Sequence, residues 1–539
     1  GWRDNRLYLS SVARRTNTIQ YIYKSPLLST GNGLLVCPSC KMSSGTTNIS
    51  RLVRTELPYL KNYNAYIGGK WKAAASNATF PVFNPANGEK LADVSNSGDA
   101  DIRDAVVEAA QAFKSWKQKT SKERSRYLQK WNKVLMDKMG DVAKIMTMEQ
   151  GKPISEARGE VAYAASFLEW FAEEAKRVNG DLLPASTPNT KVVVMKQPVG
   201  VAALWTPWNF PLAMLTRKAG AALAAGCTVV CKPAEDTPLT ALALAQLAEE
   251  AGVPAGVFNV IPCSRDNVDE VTDVIMESDL VRKLSFTGST AVGKLLLRKC
   301  ADTVKNVSVE LGGNAPCIIF NSADVDIAVK GVLTAKFRNT GQTCISPNRI
   351  FVQEGIYDQF SAKLVEGMKA LVVGSGLNKN TNQGPLINEK AVLKVERHVE
   401  KSVEQGAQVI FGGNRIPELG GTFFEPTVLV DVTNDMPVSR EETFGPVAPL
   451  LKFKNEAEAI AMANKTDSGL AGYFYSQDFK QIWRVAEAMD VGMVGVNTGI
   501  ISSEMHPFGG VKQSGIGREA SKYGIDEYLE VKSVSFGEM

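Results

Sequence analysis

The chain has 539 residues, 44% of them hydrophobic and 22% charged, and a net charge of +4. Such a length predicts two or three domains rather than one small core, and without an apolar run of about 18 residues no membrane span is expected. Residues 1–55 hold eight basic side chains (Arg3, Arg6, Arg14, Arg15, Lys24, Lys41, Arg51, Arg54) against Asp4 alone, a local balance of +7, so the remaining body carries −3; a slightly acidic body without a basic-aromatic stripe excludes a nucleic-acid role.

Residues 1–50 read as a mitochondrial or plastid transit peptide, Arg-rich, Ser-containing and acid-poor, with a disordered tail as the alternative. Cys37 and Cys40 form the chain's one Cys-x-x-Cys pair. No second pair follows at finger spacing, so no metal site is expected. Eight cysteines in so long a chain are also too sparse for a disulfide framework.

Beyond residue 198, short apolar runs alternate with helical patterns: strands at 199–204, 228–231 and 257–261, and helices at 212–225 and 238–251. This βαβαβ order predicts an α/β fold with a mainly parallel sheet, helices on both faces and ligands at the carboxyl ends of the strands. Cys227 and Cys231, inside the second run, read as buried small hydrophobes. Candidate motifs follow the strands. Trp205-Thr206-Pro207-Trp208-Asn209-Phe210-Pro211 brackets an asparagine between two prolines, and an amide held that way suits an oxyanion. Lys232-Pro233-Ala234-Glu235 presents an ammonium and a carboxylate before a helix, with a weak surface ion pair as the alternative.

Farther on, residues 284–293 predict a strand, a turn at Gly288-Ser289 and a helix start that includes Gly293. Unpaired amides at such a helix start attract phosphate, although plain N-capping explains the same residues. Glu310 ends a strand at 306–309 and precedes Gly312 and Gly313, which let the backbone turn and leave the carboxylate beside a cavity as a candidate base. After a helical stretch at 327–338, Cys344 lies in a polar glycine loop near basic residues. Access and thiolate character are both expected for it there. Only two histidines occur, His398 and His506; His398 falls in a charged helical stretch and reads as solvated, which disfavours Cys-His and Ser-His-Asp hydrolases.

From about Tyr66 to Val531 the chain resembles the aldehyde dehydrogenase superfamily. The motifs that carry the resemblance are Pro207-Trp208-Asn209-Phe210-Pro211, Lys232-Pro233-Ala234-Glu235, Phe286-Thr287-Gly288-Ser289-Thr290, Glu310-Leu311-Gly312-Gly313, Gly341-Gln342-Thr343-Cys344, Glu442-Thr443-Phe444-Gly445-Pro446 and Pro507-Phe508-Gly509-Gly510-Val511-Lys512. Phe337-Arg338-Asn339-Thr340, Met214-Leu215-Thr216-Arg217-Lys218, Ile501-Ser502-Ser503 and the segment Ser521 to Tyr528 are most similar to its succinate-semialdehyde dehydrogenase branch, which closes 4-aminobutyrate degradation. The resemblance implies a Rossmann-like NAD-binding domain (51–181 and 201–312), a catalytic domain (313–512) and a small bridging domain (182–200 and 513–539). It also implies a homo-oligomer, dimer or tetramer, in the mitochondrial matrix.

For the site, the resemblance implies Cys344 as nucleophile, Glu310 as base and Asn209 as oxyanion donor. Lys232 and Glu235 are assigned to the adenosine ribose, Trp208, Gly288, Ser289 and Gly293 to the dinucleotide, and Glu442 with Phe444 to the nicotinamide ribose. A carboxylate at Glu235 accepts from a ribose 2′-hydroxyl and repels a 2′-phosphate, which selects NAD. Arg217 and Arg338 are expected to bind the carboxylate of an acidic aldehyde as two guanidinium forks, with structural arginines as the alternative; Ser502 joins them by resemblance. Three positions depart from close relatives: Ser346 and Thr498 stand where cysteine and glutamate are usual, and His506 where some carry cysteine. Ser346 removes a local disulfide partner for Cys344. Thr498 and His506 leave substrate breadth open, so glutarate or methylmalonate semialdehyde is a second substrate reading, and a catalytically silent homologue a third.

Overall fold

The strand Val201–Trp205 is buried along its whole length, and the alternation of its side chains supplies two separate cores. Ala202 and Leu204 enter one cluster, Val201, Ala203 and Trp205 another. An internal parallel strand with helices over both faces requires this double burial. The structure, a computed structural model, describes residues 59–537; the expected transit peptide and the Cys37–Cys40 pair lie outside the described residues.

The βαβαβ order is realised as Val201–Trp205, helix Ala213–Ala225, Thr228–Lys232, helix Pro238–Glu250 and Phe258–Val260. The helix Ala213–Ala225 is buried on all sides and stops at Gly226, whose φ of 104° is a left-handed conformation that glycine adopts without strain. After Phe258–Val260 the chain returns to the other side of the starting strand: Val281–Thr287 pairs in parallel with Val201–Trp205, and Asn306–Glu310 pairs in parallel beyond it. The strand order therefore reverses between Val201–Trp205 and Val281–Thr287, and the carboxyl ends of those two strands open the crevice where α/β sheets bind ligands. Antiparallel edge strands complete an eight-stranded sheet, Ala65–Ile67 and Lys70–Lys72 on one side and Gly515–Ile516 on the other.

A second, seven-stranded sheet has the order Gln408–Phe411, Thr427–Val430, Val447–Phe453, Arg349–Gln353, Pro316–Ile319, Ala471–Tyr475, Met493–Val496. Only its first pair is antiparallel, and it too feeds cores on both faces, with Cys317 and Ile319 on one and Ile318 on the other. A third sheet pairs the hairpin Asp181–Pro184 and Lys191–Pro198 with Leu529–Phe536. Within the C-terminal segment from residue 513, then, only Leu529–Phe536 joins the hairpin, whereas Gly515–Ile516 lies against Val309 and Glu310. No helix among the described residues is long and apolar enough to cross a membrane.

Candidate active site

Cys344 follows the helix Val325–Phe337, which ends because Asn339 and Thr340 both take left-handed φ values, 51° and 55°. Two consecutive non-glycine residues in that region are costly and persist only where their surroundings hold them. The Asn339 N–H donates to the Glu156 carboxylate at 2.8 Å, its side-chain amide donates to the Asn209 and Gln342 carbonyls at 3.0 and 3.2 Å, and the Thr340 hydroxyl donates to the Gly384 carbonyl at 3.1 Å. The loop is packed from both sides: a Cβ on Gly341 would lie 2.1 Å from the Gly445 carbonyl oxygen, and one on Gly313 2.4 Å from that of Cys344. Glycine at these two positions lets the Glu310 turn, the Cys344 loop and the Glu442 loop converge.

The convergence encloses a cavity of about 360 Å³. Cys344, Asn209, Trp208, Gly288, Ser289, Glu442, Phe444, Arg217, Arg338 and Ser502 all line it. Asn209 is buried, with one amide N–H donating to the Gln342 carbonyl at 3.0 Å, so a second N–H is left for a ligand. Arg217 is fully buried and pairs through Nε with Glu519 at 2.5 Å, while its Nη1 is buried without a partner. Among the described residues no carboxylate pairs with Arg338, whose guanidinium lies 5.3 Å from the Phe210 ring centre. The free Nη1 and the unpaired Arg338 leave positive charge at one end of the cavity. Sequence reasoning missed Tyr163, which also lines the cavity.

Glu310 is buried but does not line the cavity, and its Oε2 has no partner. Burial, and then the neighbouring Glu519 carboxylate, hold its carboxyl well above the usual range. Glu519 is held low despite its own burial, because Lys218 and Arg217 both bond it. Of the two acids, Glu519 therefore keeps the charge and Glu310 the proton. The expected thiolate character of Cys344 is not found: burial, together with Glu310, pushes the thiol up to about 12, and Arg217 and Arg338 offset this only in part. Cys344 itself is part-exposed in the cavity, as expected, but a cysteine with arginines nearby is still protonated at rest where burial outweighs them.

The other end of the cavity suits a dinucleotide. Ser289 caps the helix Thr290–Ala301 by accepting from the Val292 N–H at 3.4 Å, so the capping explanation is realised in the geometry; it leaves the remaining first-turn amides for an anion. Glu442 is bonded by the Gly313 N–H at 3.1 Å, and burial pushes its carboxyl up to about 7. Phe444 takes a left-handed φ of 58° and packs edge-on against Trp208 with ring centres 5.5 Å apart. Lys232, Glu235 and Gly293 lie off the cavity. The Lys232 ammonium donates to the Pro233 carbonyl at 3.0 Å and stands 3.8 Å from the Glu235 carboxylate, which is also 3.7 Å from the exposed Arg265. The Glu442 carboxylate and the helix start at Thr290, which meet around Gly312, suit a dinucleotide. Gly293 serves packing, since a Cβ there would lie 2.3 Å from Leu311.

The expectation that His398 is solvated is overturned. It is fully buried, with Nδ1 at 3.1 Å from the Thr443 hydroxyl and Nε2 at 3.2 Å from the Glu441 carboxylate, and burial lowers its imidazole to about 4. The helix Glu389–Glu404 buries Val392, Val395, Val399 and His398 on one face; spacing from those valines was the available signal. Glu519 and Lys218, also missed, carry no local signal, because their pairing spans some 300 residues of chain. His506 bonds the Ser503 hydroxyl at 2.7 Å on the exposed loop beyond Ser502.

Comparison with known proteins agrees with this geometry. Residues 71–534 match the aldehyde dehydrogenase family. The mitochondrial succinate-semialdehyde dehydrogenase of Rattus norvegicus is 60% identical over 475 residues, covering 88% of this chain and 90% of that protein. The glutarate-semialdehyde dehydrogenase of Pseudomonas putida is 54% identical over 468 residues, covering 87% and 96%. A crystal structure of an E. coli NADP dependent enzyme superimposes with a TM-score of 0.88 at 53% sequence identity, covering 89% of this chain and 99% of that one. Matches of that identity over nearly the whole described chain admit a single conclusion: the chain belongs to the aldehyde dehydrogenase family.

Proposed function

We propose that the protein oxidises succinate semialdehyde to succinate with NAD, through a thiohemiacetal and a thioester on Cys344. The observation that carries the substrate is the pairing of Arg338 with the unpartnered Nη1 of buried Arg217 in the cavity that also holds Cys344 and Asn209. Two guanidiniums beside the reacting carbon suit an aldehyde with a carboxylate at its far end, and a neutral aldehyde leaves them unpaired at a cost. Ser502 supplies a hydroxyl to the same carboxylate. Succinate semialdehyde is also the substrate named in the rat relative. The glutarate reading keeps its place through the Pseudomonas relative, and a pocket of fixed depth separates the two by roughly 1–3 kcal/mol per methylene.

Cys344 loses its proton to solvent and attacks the aldehyde carbon, the oxyanion that forms accepts from the free Asn209 amide N–H, and as the carbonyl re-forms the carbon's hydrogen leaves as hydride to give the thioester. A bound nicotinamide dinucleotide supplies the hydride acceptor. Glu310, in its ionised form, takes a proton from the water that attacks the Cys344 thioester; collapse releases the carboxylate product and the thiolate. Glu442 holds the nicotinamide ribose with Phe444 and Trp208 beside it, and the amides at the start of the helix after Gly288 and Ser289 hold the pyrophosphate, the Gly288 N–H itself donating to the Glu310 carbonyl at 3.0 Å. Gly293 lets that helix approach the sheet.

Lys232 and Glu235 hold the adenosine ribose, and the Glu235 carboxylate favours its 2′-hydroxyl over a 2′-phosphate, hence NAD. The E. coli relative is NADP dependent, so the family leaves this choice to local residues. The protein is assigned to the mitochondrial matrix, a reading that the rat relative, named mitochondrial, supports, and to a homo-oligomer, which the exposed apolar Leu182 and Val531 on the three-stranded sheet support.

The test is NADH production with succinate semialdehyde, glutarate semialdehyde and propanal, in wild type and Arg338→Ala. A wild-type preference for succinate semialdehyde that the variant loses is the expected result. Activity with no preference removes the substrate, and no NADH from any aldehyde removes the enzyme.

A further inference from the structure

The mechanism above leaves one buried ion pair without a task. Lys152 and Glu160, whose side chains are each 1% exposed, bond directly at the end of the helix Ile154–Glu174 that faces the cavity. A buried pair is weak evidence for stability, because desolvation offsets most of its attraction. Its other bonds are what distinguish it. The Lys152 ammonium also donates to the Asn209 backbone carbonyl at 2.8 Å and sits 4.0 Å from the centre of the Phe210 ring, so it holds the peptide that joins Asn209 to Phe210 from both ends. Glu160 uses its second oxygen to accept from the N–H groups of Leu212 and Ala213, at 3.0 and 3.2 Å, which pins the start of the helix that follows the Asn209 loop.

We infer that Lys152, braced by Glu160, is a positioning residue for the Asn209 oxyanion donor. The Asn209 carbonyl accepts from two donors, Lys152 Nζ and Asn339 Nδ2, and the Asn209 amide spends one N–H on the Gln342 carbonyl. Together these bonds leave its second N–H one direction in which to point. Asn339 ties the same unit to the nucleophile loop, since its amide bonds the Gln342 carbonyl as well. Without Lys152, the Asn209 carbonyl keeps a single donor and Glu160 loses its counter-charge. The Asn209–Phe210 peptide is then free to rotate, and the amide moves off the developing oxyanion. A small displacement at such a donor is enough to matter, because oxyanion stabilisation depends on donors already in place before charge develops. The inference rests on the assignment of Asn209 given under Proposed function.

The test is single-turnover NADH formation at saturating NAD in wild type, Asn209→Ala and the charge-balanced double variant Lys152→Met/Glu160→Gln. It uses succinate semialdehyde and propanal, each with hydrogen or deuterium on the aldehyde carbon. The double variant is expected to slow NADH formation by about ten- to a hundredfold on both aldehydes alike, with KM within about twofold of wild type, because the group acts on the carbonyl and not on the carboxylate. A smaller isotope effect on that step accompanies the loss, because addition to the carbonyl then limits it ahead of hydride transfer, which a merely structural role does not produce. Should the double variant fail to fold, Lys152→Arg retains the charge, displaces the donor atom and is expected to show the same substrate-independent loss at an unchanged melting temperature. A wild-type rate, or a loss confined to succinate semialdehyde, in a folded variant overturns the role of Lys152 while a slowed Asn209→Ala leaves the oxyanion assignment standing. An Asn209→Ala variant at wild-type rate overturns both.

Discussion

The two ends of the cavity use charge in opposite ways. At the aldehyde end the paired ions are buried: Arg217 and Lys218 bond Glu519 some 300 residues away, and Lys152 bonds Glu160 on the helix that follows it. At the dinucleotide end Glu235 is part-exposed and meets Lys232, three residues away, and the exposed Arg265 at 3.8 and 3.7 Å. In the first setting charge is held in low dielectric, so each carboxyl either has its cations or keeps its proton, and Glu310 and Glu519 divide these two states between them. In the second, water screens the ions and a side chain can be exchanged with little effect on the fold.

Three substitutions sharpen that contrast, in decreasing order of effect. Glu310→Gln removes the base at the closed end and is expected to lower steady-state turnover by about 10²–10⁴-fold. The acyl group then accumulates on Cys344, and intact-protein mass spectrometry after mixing with aldehyde and NAD detects it; equal loss without an adduct removes Glu310 from hydrolysis.

Glu519→Gln breaks a buried pair and leaves Arg217 and Lys218 unpaired, so unfolding in urea is expected to show a loss of about 3–5 kcal/mol. It also moves the pH profile. In the wild type both Cys344 and Glu310 are held above their ordinary values, so the reactive, deprotonated forms accumulate as pH rises and kcat climbs with pH. Removing Glu519 takes away a like charge and frees Lys218 for Glu310, which lowers the Glu310 value and shifts the rising limb to lower pH. An unshifted limb in a folded variant detaches the two acids from each other.

Glu235→Ser, at the open end, is expected to leave the unfolding midpoint within about 0.5 kcal/mol of wild type, as for surface substitutions generally. Binding of NADPH, followed by its fluorescence, is expected to tighten by about tenfold, since a carboxylate no longer faces the 2′-phosphate. Unchanged NADPH affinity places cofactor choice elsewhere, with Arg265 the nearest remaining charge.

The same contrast explains how much was legible beforehand. Around the dinucleotide end, strands, helices and motifs follow one another within residues 199–310, and each βα turn carries its own local signal. The observed strands differ from the expected ones by one or two residues at their ends, as at Phe258–Val260. Asn209, Cys344 and Glu310 were recognisable because each sits in a turn whose glycines or prolines mark it. His398 was misplaced because charged neighbours in its helix outweighed the three valines that share its buried face. Loop composition reports the arginines near Cys344 but not the burial that outweighs them, so its protonation differs from the expectation.

The order of strands and helices and the turns that carry Asn209, Glu310 and the candidate nucleophile Cys344 were legible in the sequence alone, because hydrophobic periodicity and turn chemistry act over a few residues. Which buried cation meets which carboxylate was decided only by the tertiary structure. Arg217 and Lys218 meet Glu519 some 300 positions later, and Lys152 reaches the Asn209 carbonyl across the core. Burial and partner together set a protonation state, and neither exists until strands distant in sequence have been brought side by side.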